Sequence, residues 1–473
     1  GGCEEATCVG CVFAEGLLAP TCTEVVDHSR SDGGNVTLQA LSIERGYWRA
    51  TATSTEVLAC YNAGACLGGI TGTSGYCLEG YEGPYCSICS EGYTEQLGFH
   101  CGKCPENSAG GIAVAVVLAV VVLLVAAAVV SYLASGEAGV SRERGTIERL
   151  TQYIPLQSVK IVIVAWQILT QFTSVANVTF PSLYQDFLDT LDVFNFDLGW
   201  VLSAGCVFDV DFHDRLLIST ISPIIALAFL ACTYAAANCK HRGAPESIQN
   251  IRHKHVSMVL LLTFLVYSSV SSVLFQSFAC EKLDDGKNYL RSDYRLECDT
   301  VKHKGFQVFA GFMIALYTVG IPALYAGLLF RDRNVLRKNK EEREEPPRVK
   351  STSDLWKPYK PTAFYYEVIE CGRRILLAGV VVFIYPNTAS QIAVTLMIAF
   401  AFIIISEVLS PYSSPWDAWI SRVGHVVVFV SMFVALLLKV DVSDERTSSQ
   451  KVFEAVLVAV HVCMVVAVVV EAI

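Results

Sequence analysis

Charge is scarce in this chain. Asp, Glu, Lys and Arg supply 17% of its 473 residues, against 53% hydrophobic residues and a mean hydropathy of +0.45. That balance excludes a disordered chain and argues against an ordinary soluble globular protein. A basic excess is also missing: 35 Lys and Arg face 45 Asp and Glu, a formal net charge of -10. General nucleic-acid binders need a positive surface, so no nucleic-acid partner is expected. No P-loop, dinucleotide fingerprint, H-E-x-x-H or G-x-S-x-G is present. The expectation is a non-enzyme with no catalytic residue and no cofactor. The chain begins Gly-Gly-Cys without a methionine; a removed leader or a longer parent chain is expected.

Uninterrupted apolar sequence, by contrast, is abundant. Residues 111–134 contain no charged side chain. As a helix they reach roughly 36 Å, enough to cross a hydrocarbon core of about 30 Å. Further runs cover 157–176, 215–237, 256–277, 307–330, 371–386 with an amphipathic approach from Phe364, 391–409, 422–439 and 452–470. The expected fold is an all-α polytopic transmembrane bundle of about nine spans, with eight as the alternative, and a small disulfide-rich extracellular N-terminal region. The domain reading is a cysteine-rich extracellular region at 1–110, a first transmembrane helix at 111–134, a cytoplasmic linker at 135–156 and a bundle of about eight helices at 157–473. Gln167, Gln171 and Pro223 fall inside spans, where neighbouring helices satisfy such groups.

Charge orients the bundle. With the N-terminus outside, the inner loops 135–156, 239–255, 331–370 and 410–421, with the helix ends Arg373, Arg374 and Arg422, carry 20 of the 35 Lys and Arg. The outer loop 177–214 has seven Asp and no Lys or Arg. The sequons at Asn35 and Asn177, candidate glycosylation sites, fall outside, as do Cys280 and Cys298. The expectation is a multi-pass cell-surface protein with its C-terminus in the cytoplasm and membrane lipids as partners.

Eleven of the 18 cysteines lie in the first 104 residues. Such density suits an oxidising compartment, where disulfides replace a core too small to hold a domain. Spacing does not fix the pairing. Eleven is odd, and Cys206 or an upstream cysteine is the candidate partner for the one left over. Cys77-Leu-Glu-Gly-Tyr-Glu-Gly-Pro-Tyr-Cys86 resembles the last disulfide loop of an EGF-like module, C-x2-G-Y-x-G-x2-C. The C-x-C that usually precedes it would need a cysteine at Gly75. Cys86-x2-Cys89-x11-Cys101-x2-Cys104 resembles the short repeats of ephrin-receptor-like and laminin-like stalks. Zinc is the alternative for these Cys-x2-Cys pairs in a reducing compartment.

Several polar groups qualify as candidate sites. Asp209, Asp211, His213 and Asp214 are candidate ligands for a divalent ion, although no twelve-residue calcium loop is present. The seven outer Asp would concentrate cations at the mouth of a conducting bundle; a solvated outer surface is the alternative. Glu367, Glu370, Arg373 and Arg374 share a helix face at spacings of three and four, suited to ion pairs across it. They read either as an interfacial helix anchored by salt bridges or as a gate. Glu407 is expected to pair with an inner basic residue. Gly320-Ile-Pro322 marks a bend, and Ser269, Ser271 and Ser272 are small polar groups suited to a pore lining.

This order of features resembles the TRP-like multi-span proteins of algae and other protists. The likeness rests on the cysteine-rich segment with its C-x2-G-Y-x-G-x2-C turn, the first span, the paired Cys280 and Cys298, Gly320-Ile-Pro322, Phe364-Tyr-Tyr-Glu367 and Glu370-x2-Arg373-Arg374. The resemblance implies a membrane bundle with cation conduction as its candidate activity. The alternative is a non-conducting anchor or receptor whose head binds an extracellular protein, filament or glycan. A homo-oligomer is compatible with either.

Overall fold

The computed structural model describes residues 42–104, 155–195, 210–440 and 449–472, with short gaps in the first three ranges. The span expected at 111–134, most of the 135–156 linker, Asn35, Asn177, Cys206 and Asp209 lie outside the described residues. The chain forms two compact units.

The first unit joins the N-terminal segment to Ser277–Gln307, far away in sequence. Its strands are short and antiparallel: β1 (Tyr47–Trp48) with β2 (Leu58–Ala59), β3 (Tyr81–Glu82) with β4 (Ile88–Cys89), and β5 (Tyr93–Gln96) with β6 (His100–Lys103). A three-stranded sheet follows, ordered β7 (Cys280–Lys282), β8 (Asn288–Leu290) and β9 (Asp293–Glu297). Two-stranded ribbons this short are marginal alone and need covalent staples. Bridges join Cys60 to Cys66, Cys77 to Cys86, Cys89 to Cys101 and Cys280 to Cys298, and Cys104 is disulfide-bonded too.

One aromatic core unites the two segments. Trp48, Tyr76, Tyr85 and Cys66 from the N-terminal part are buried with Leu283 and Tyr294 from the hairpin. The Tyr85 hydroxyl donates to Glu281 Oε1 at 2.9 Å, and that of Tyr294 donates to Glu281 Oε2 at 2.7 Å. The Tyr61 and Tyr294 hydroxyls meet at 2.6 Å. Burial and the Glu281 carboxylate raise the Tyr85 and Tyr294 phenols above their ordinary range, and burial with the Asp285 hydrogen bond pushes Tyr289 up to about 12. The turn ahead of Cys86 is tight. Gly80 and Gly83 adopt φ of 89° and 72°, and a Cβ would fall 2.5 Å from the Tyr93 ring or 2.3 Å from Ile88. Tyr85 and Cys86 also lie in the left-handed region, at 56° and 52°.

The second unit is helical. Its members are α1 (Leu156–Ala176), α2 (Ser182–Leu191), α3 (Phe212–Lys240), α4 (Pro245–Gln276), α5 (Val301–Arg331), α6 (Tyr366–Ala378), α7 (Ala389–Leu409), α8 (Pro415–Lys439) and α9 (Ser449–Ala472). Phe212, the first residue of α3, and Val301–Gln307 of α5 belong to the first unit by packing. Among the described residues, six helices are long and apolar enough to cross a membrane: α1, α3, α4, α5, α7 and α8. A shorter apolar stretch, Val456–Glu471, lies in α9. Helix α8 is central, packing on α1, α7 and α9. Its Val427, Val428 and Met432 share a core with Ile168, Phe172, Ile392 and Met464. Tyr184 of α2 places its hydroxyl 3.0 Å from Ser431 of α8 and 3.0 Å from His461 of α9. In lipid, where apolar burial drives little association, such packing and hydrogen bonds hold helices together. Val308, Phe312, Leu316 and Val319 line an exposed face of α5, and Met397, Phe400, Ile404 and Val408 one of α7, as lipid contact requires.

The run at 371–386 departs from expectation. Helix α6 has 13 residues, roughly 20 Å, too short for a span. It stops at Gly379, where a Cβ would meet the Phe275 ring at 2.7 Å, and a 3-10 turn, Val380–Phe383, follows. Four charged side chains in α6 are buried inside the bundle, so the helix need not face lipid along its length.

Two outcomes are expected for the first unit. Gly80→Ala should destabilise it by about 2 kcal/mol or more. Hydrogen exchange on the full chain should then show lost protection in both 75–96 and 280–298, since the segments share one core. The phenols stabilise the fold in their neutral form. That stability is complete below pH 10.0, the ordinary tyrosine value, and for Tyr289 is lost as pH rises through about 12. Phenolate absorbance should therefore appear later in the folded chain than in the unfolded one.

Candidate functional site

The four charged residues of α6 converge on one buried cavity, itself entirely within the helical unit. Glu367 is 5% exposed, Glu370 8%, Arg373 5% and Arg374 1%. The i, i+3 spacing lays Arg373 along Glu370: Nε donates to both carboxylate oxygens at 3.0 Å and Nη2 to Oε1 at 2.5 Å. Arg374, one residue on, has its Nε 4.0 Å from Glu370 Oε1. Its Nη1 donates to the Phe264 carbonyl at 3.1 Å, and the guanidinium carbon stands 4.0 Å from the centre of the Phe264 ring. Lys160 of α1 approaches the same ring at 5.2 Å. These charges, expected as an interfacial anchor or a gate, thus form an interior site.

Two loops close over it. Tyr359, ahead of α6, donates its hydroxyl to Glu367 Oε2 at 2.7 Å. Tyr359 and Tyr412 bridge as an isolated β pair, with Lys360 N–H donating to the Pro411 carbonyl at 2.7 Å. Burial and the neighbouring Glu367 hold the Tyr359 phenol well above its ordinary range, so it stays a donor. Ser421, Gly424 and His425 of α8 complete the wall. The cavity holds about 20 Å³ of accessible space, enough to admit water. Glu407 pairs with Arg422 of α8 at 2.7 Å.

The bend in α5 is a π-helical segment, Ile314–Val319, directly before Gly320 and Pro322. Proline lacks the N–H that would serve the Thr318 carbonyl four residues back, and its ring crowds that carbonyl. The Tyr267 hydroxyl of α4 lies 3.5 Å from Thr318 O and 3.4 Å from Cys371 O in α6. Thr318 Oγ1 donates to Ser271 Oγ at 3.0 Å, and the Tyr317 hydroxyl donates to Thr220 O of α3 at 2.7 Å. Other polar span residues bond between helices. Gln171 accepts from Ser268 at 2.9 Å and donates to Asn195 and Ser269 at 3.1 and 3.2 Å, while Ser272 donates to Ala378 O at 3.2 Å.

The acidic candidates do not gather into one site among the described residues. Asp211 pairs with Lys302 at 3.6 Å, His213 is buried, and Asp214 occupies the first turn of α3. Asp186 is exposed on α2. Among the described residues, the one trio close enough to share a metal is Cys280, Cys298 and His303. Its two sulfurs are joined to each other, which removes the thiolate ligands. Lys160 and His425 escaped the sequence reading of the site. Both are ionisable groups inside otherwise apolar runs, the signal that could have found them. Phe264 and Tyr359 carried no such signal.

Comparison with protein-family models, curated proteins and solved structures returns no match.

Removing one partner of a buried ion pair leaves the other uncompensated. Glu370→Gln should therefore cost about 3–5 kcal/mol. Tyr359→Phe, which strips Glu367 of a donor, should cost about 1–3 kcal/mol. Thermal unfolding of the purified full chain measures both, and a neutral Glu370→Gln would contradict this geometry.

Proposed function

We propose that this multi-span membrane protein is a TRP-like cell-surface cation channel, with its N-terminus outside, its C-terminus inside, and its gate in α5. It works by conduction rather than catalysis. The observation that carries the reading is the π-helical segment before Gly320 and Pro322, bonded through side chains to α3 and α4. π segments recur at functional sites, and a proline three residues beyond this one adds a bend that absorbs motion. Tyr267 connects this hinge to α6 and its ion cluster, a route by which inner movement reaches α5. Asp186 and the other outer acids raise cation concentration at the entrance.

A second reading has its own support. The disulfide-stapled head and the 280–298 hairpin share one core, a rigid extracellular body suited to holding a protein or glycan partner. In that case the bundle is an anchor.

Recordings from the full, disulfide-intact chain in planar bilayers separate the two. The channel reading expects cation-selective current under ion substitution. Pro322→Ala should shift the closed-to-open ratio by about tenfold. Asp186→Asn should lower conductance at low salt and little at high salt. Folded protein that stays silent under voltage, stretch and divalent ions would transfer the assignment to the anchor.

A further inference from the structure

The disulfide that closes the 280–298 hairpin stands against a histidine. Both sulfurs of Cys280 and Cys298 and one ring nitrogen of His303 lie within 4.8 Å of one another. All three residues belong to the first unit. Cys280 opens β7 and is half-buried, Cys298 is buried, and His303, in the first turn of α5, has no exposed surface.

The histidine is held as metal ligands are held. Thr300 caps α5: its hydroxyl donates to the Glu297 carbonyl at 2.9 Å and accepts from the His303 N–H at 3.2 Å. The His303 Nε2 stands 3.1 Å from the Ser277 carbonyl. A carbonyl only accepts, so Nε2 carries the proton and Nδ1 carries the lone pair of the neutral ring. Metal-ligating histidines are oriented in this way, with the other ring N–H on a backbone carbonyl. The bridge itself offers no thiolate, but opening it creates two. Its Cα atoms are 6.4 Å apart, toward the upper end of the roughly 4.4–6.8 Å that a disulfide spans. Sulfurs bound to one tetrahedral zinc at about 2.3 Å each stand about 3.8 Å apart, a separation that rotation of the two side chains can supply. Two thiolates and one imidazole, with water in the fourth position, match the ligand preference of zinc.

We infer that Cys280, Cys298 and His303 form a redox-controlled zinc site, closed as a disulfide and opened to the metal by reduction. A dithiol reductant attacks the Cys280 sulfur and Cys298 leaves as a thiolate. The reductant's second thiol then closes its own disulfide and frees Cys280. Two electrons pass to the protein as the reductant is oxidised. Zinc binds both sulfurs, and the two thiol protons leave to solvent. The metal replaces the covalent link between the hairpin ends and adds a link to α5 that the disulfide does not make. The site stands independently of conduction, since it rests on the placement of its three ligands.

The test uses the full chain in lipid nanodiscs, reduced with a trialkylphosphine, desalted, and alkylated with and without zinc. Mass spectrometry follows Cys280 and Cys298 individually, which separates them from the other cysteines. Zinc is expected to slow alkylation of both by at least about tenfold. His303→Gln leaves every cysteine in place and should raise the zinc concentration for half-protection by at least about tenfold. Equal alkylation rates with and without zinc, undiminished protection in His303→Gln, or a bridge that opens only as the chain unfolds overturns the site. If His303→Gln does not fold, crystals of the reduced, unaltered chain soaked in zinc decide the matter. An anomalous peak bonded to both sulfurs and to His303 supports the assignment, and a peak elsewhere or none refutes it.

Discussion

Glu370 is the point on which the helical unit depends. A carboxylate and two guanidinium groups have been taken out of water, a step costing several kcal/mol per ion, and their mutual bonds must offset it. That requirement fixes much else. Arg373 must lie along the α6 backbone to reach both oxygens of Glu370. Arg374 must leave in the other direction, onto Phe264 of α4. Tyr359 must fold over to serve Glu367, and the β pairing of Tyr359 with Tyr412 holds that loop closed. The same charges explain why α6 is short. A helix whose charged residues are buried inside a bundle need not present an apolar surface to lipid on every side.

The disulfide-stapled unit meets a different constraint. Its strands are two to five residues long and bury little by themselves. Disulfides limit the unfolded chain, and tyrosines supply both apolar area and a hydroxyl that must find a partner. Glu281 collects the hydroxyls of Tyr85 and Tyr294, so the hairpin and the N-terminal segment share one acceptor. Neither segment can leave without stranding a polar group in an aromatic core. The left-handed turn at Tyr85 and Cys86 is held by this same packing, in spite of its cost of about 1–2 kcal/mol per residue.

Helix positions were legible from sequence because apolar runs of 20 residues have few other solutions in a membrane. The pairing of Glu370 with Arg373 and Arg374 was legible from helical spacing, and the glycines of the Cys77–Cys86 loop from turn chemistry. What local pattern could not reveal was depth. Spacing places charges on one face without saying whether that face meets headgroups or the interior, and the interior location came from α1, α4 and α8. The π segment was equally hidden. Gly320 and Pro322 marked a bend, but the widened turn precedes them, where Pro322 has no N–H to offer the Thr318 carbonyl. The hairpin's place in the head core depends on contacts across more than 200 residues, beyond any periodicity.

Tyr267 ties these features together through a count of protons. Its hydroxyl faces two carbonyls, Thr318 O at 3.5 Å and Cys371 O at 3.4 Å. A phenol has one proton to donate, and carbonyls have none to return. Both contacts are long, as a divided hydrogen bond should be. Thr318 O is the carbonyl that Pro322 cannot serve, and Cys371 lies between Glu370 and Arg373. Tightening either contact loosens the other. The π segment of α5 and the backbone of α6 therefore share one donor, so a small displacement in one helix changes the hydrogen bonding of the other.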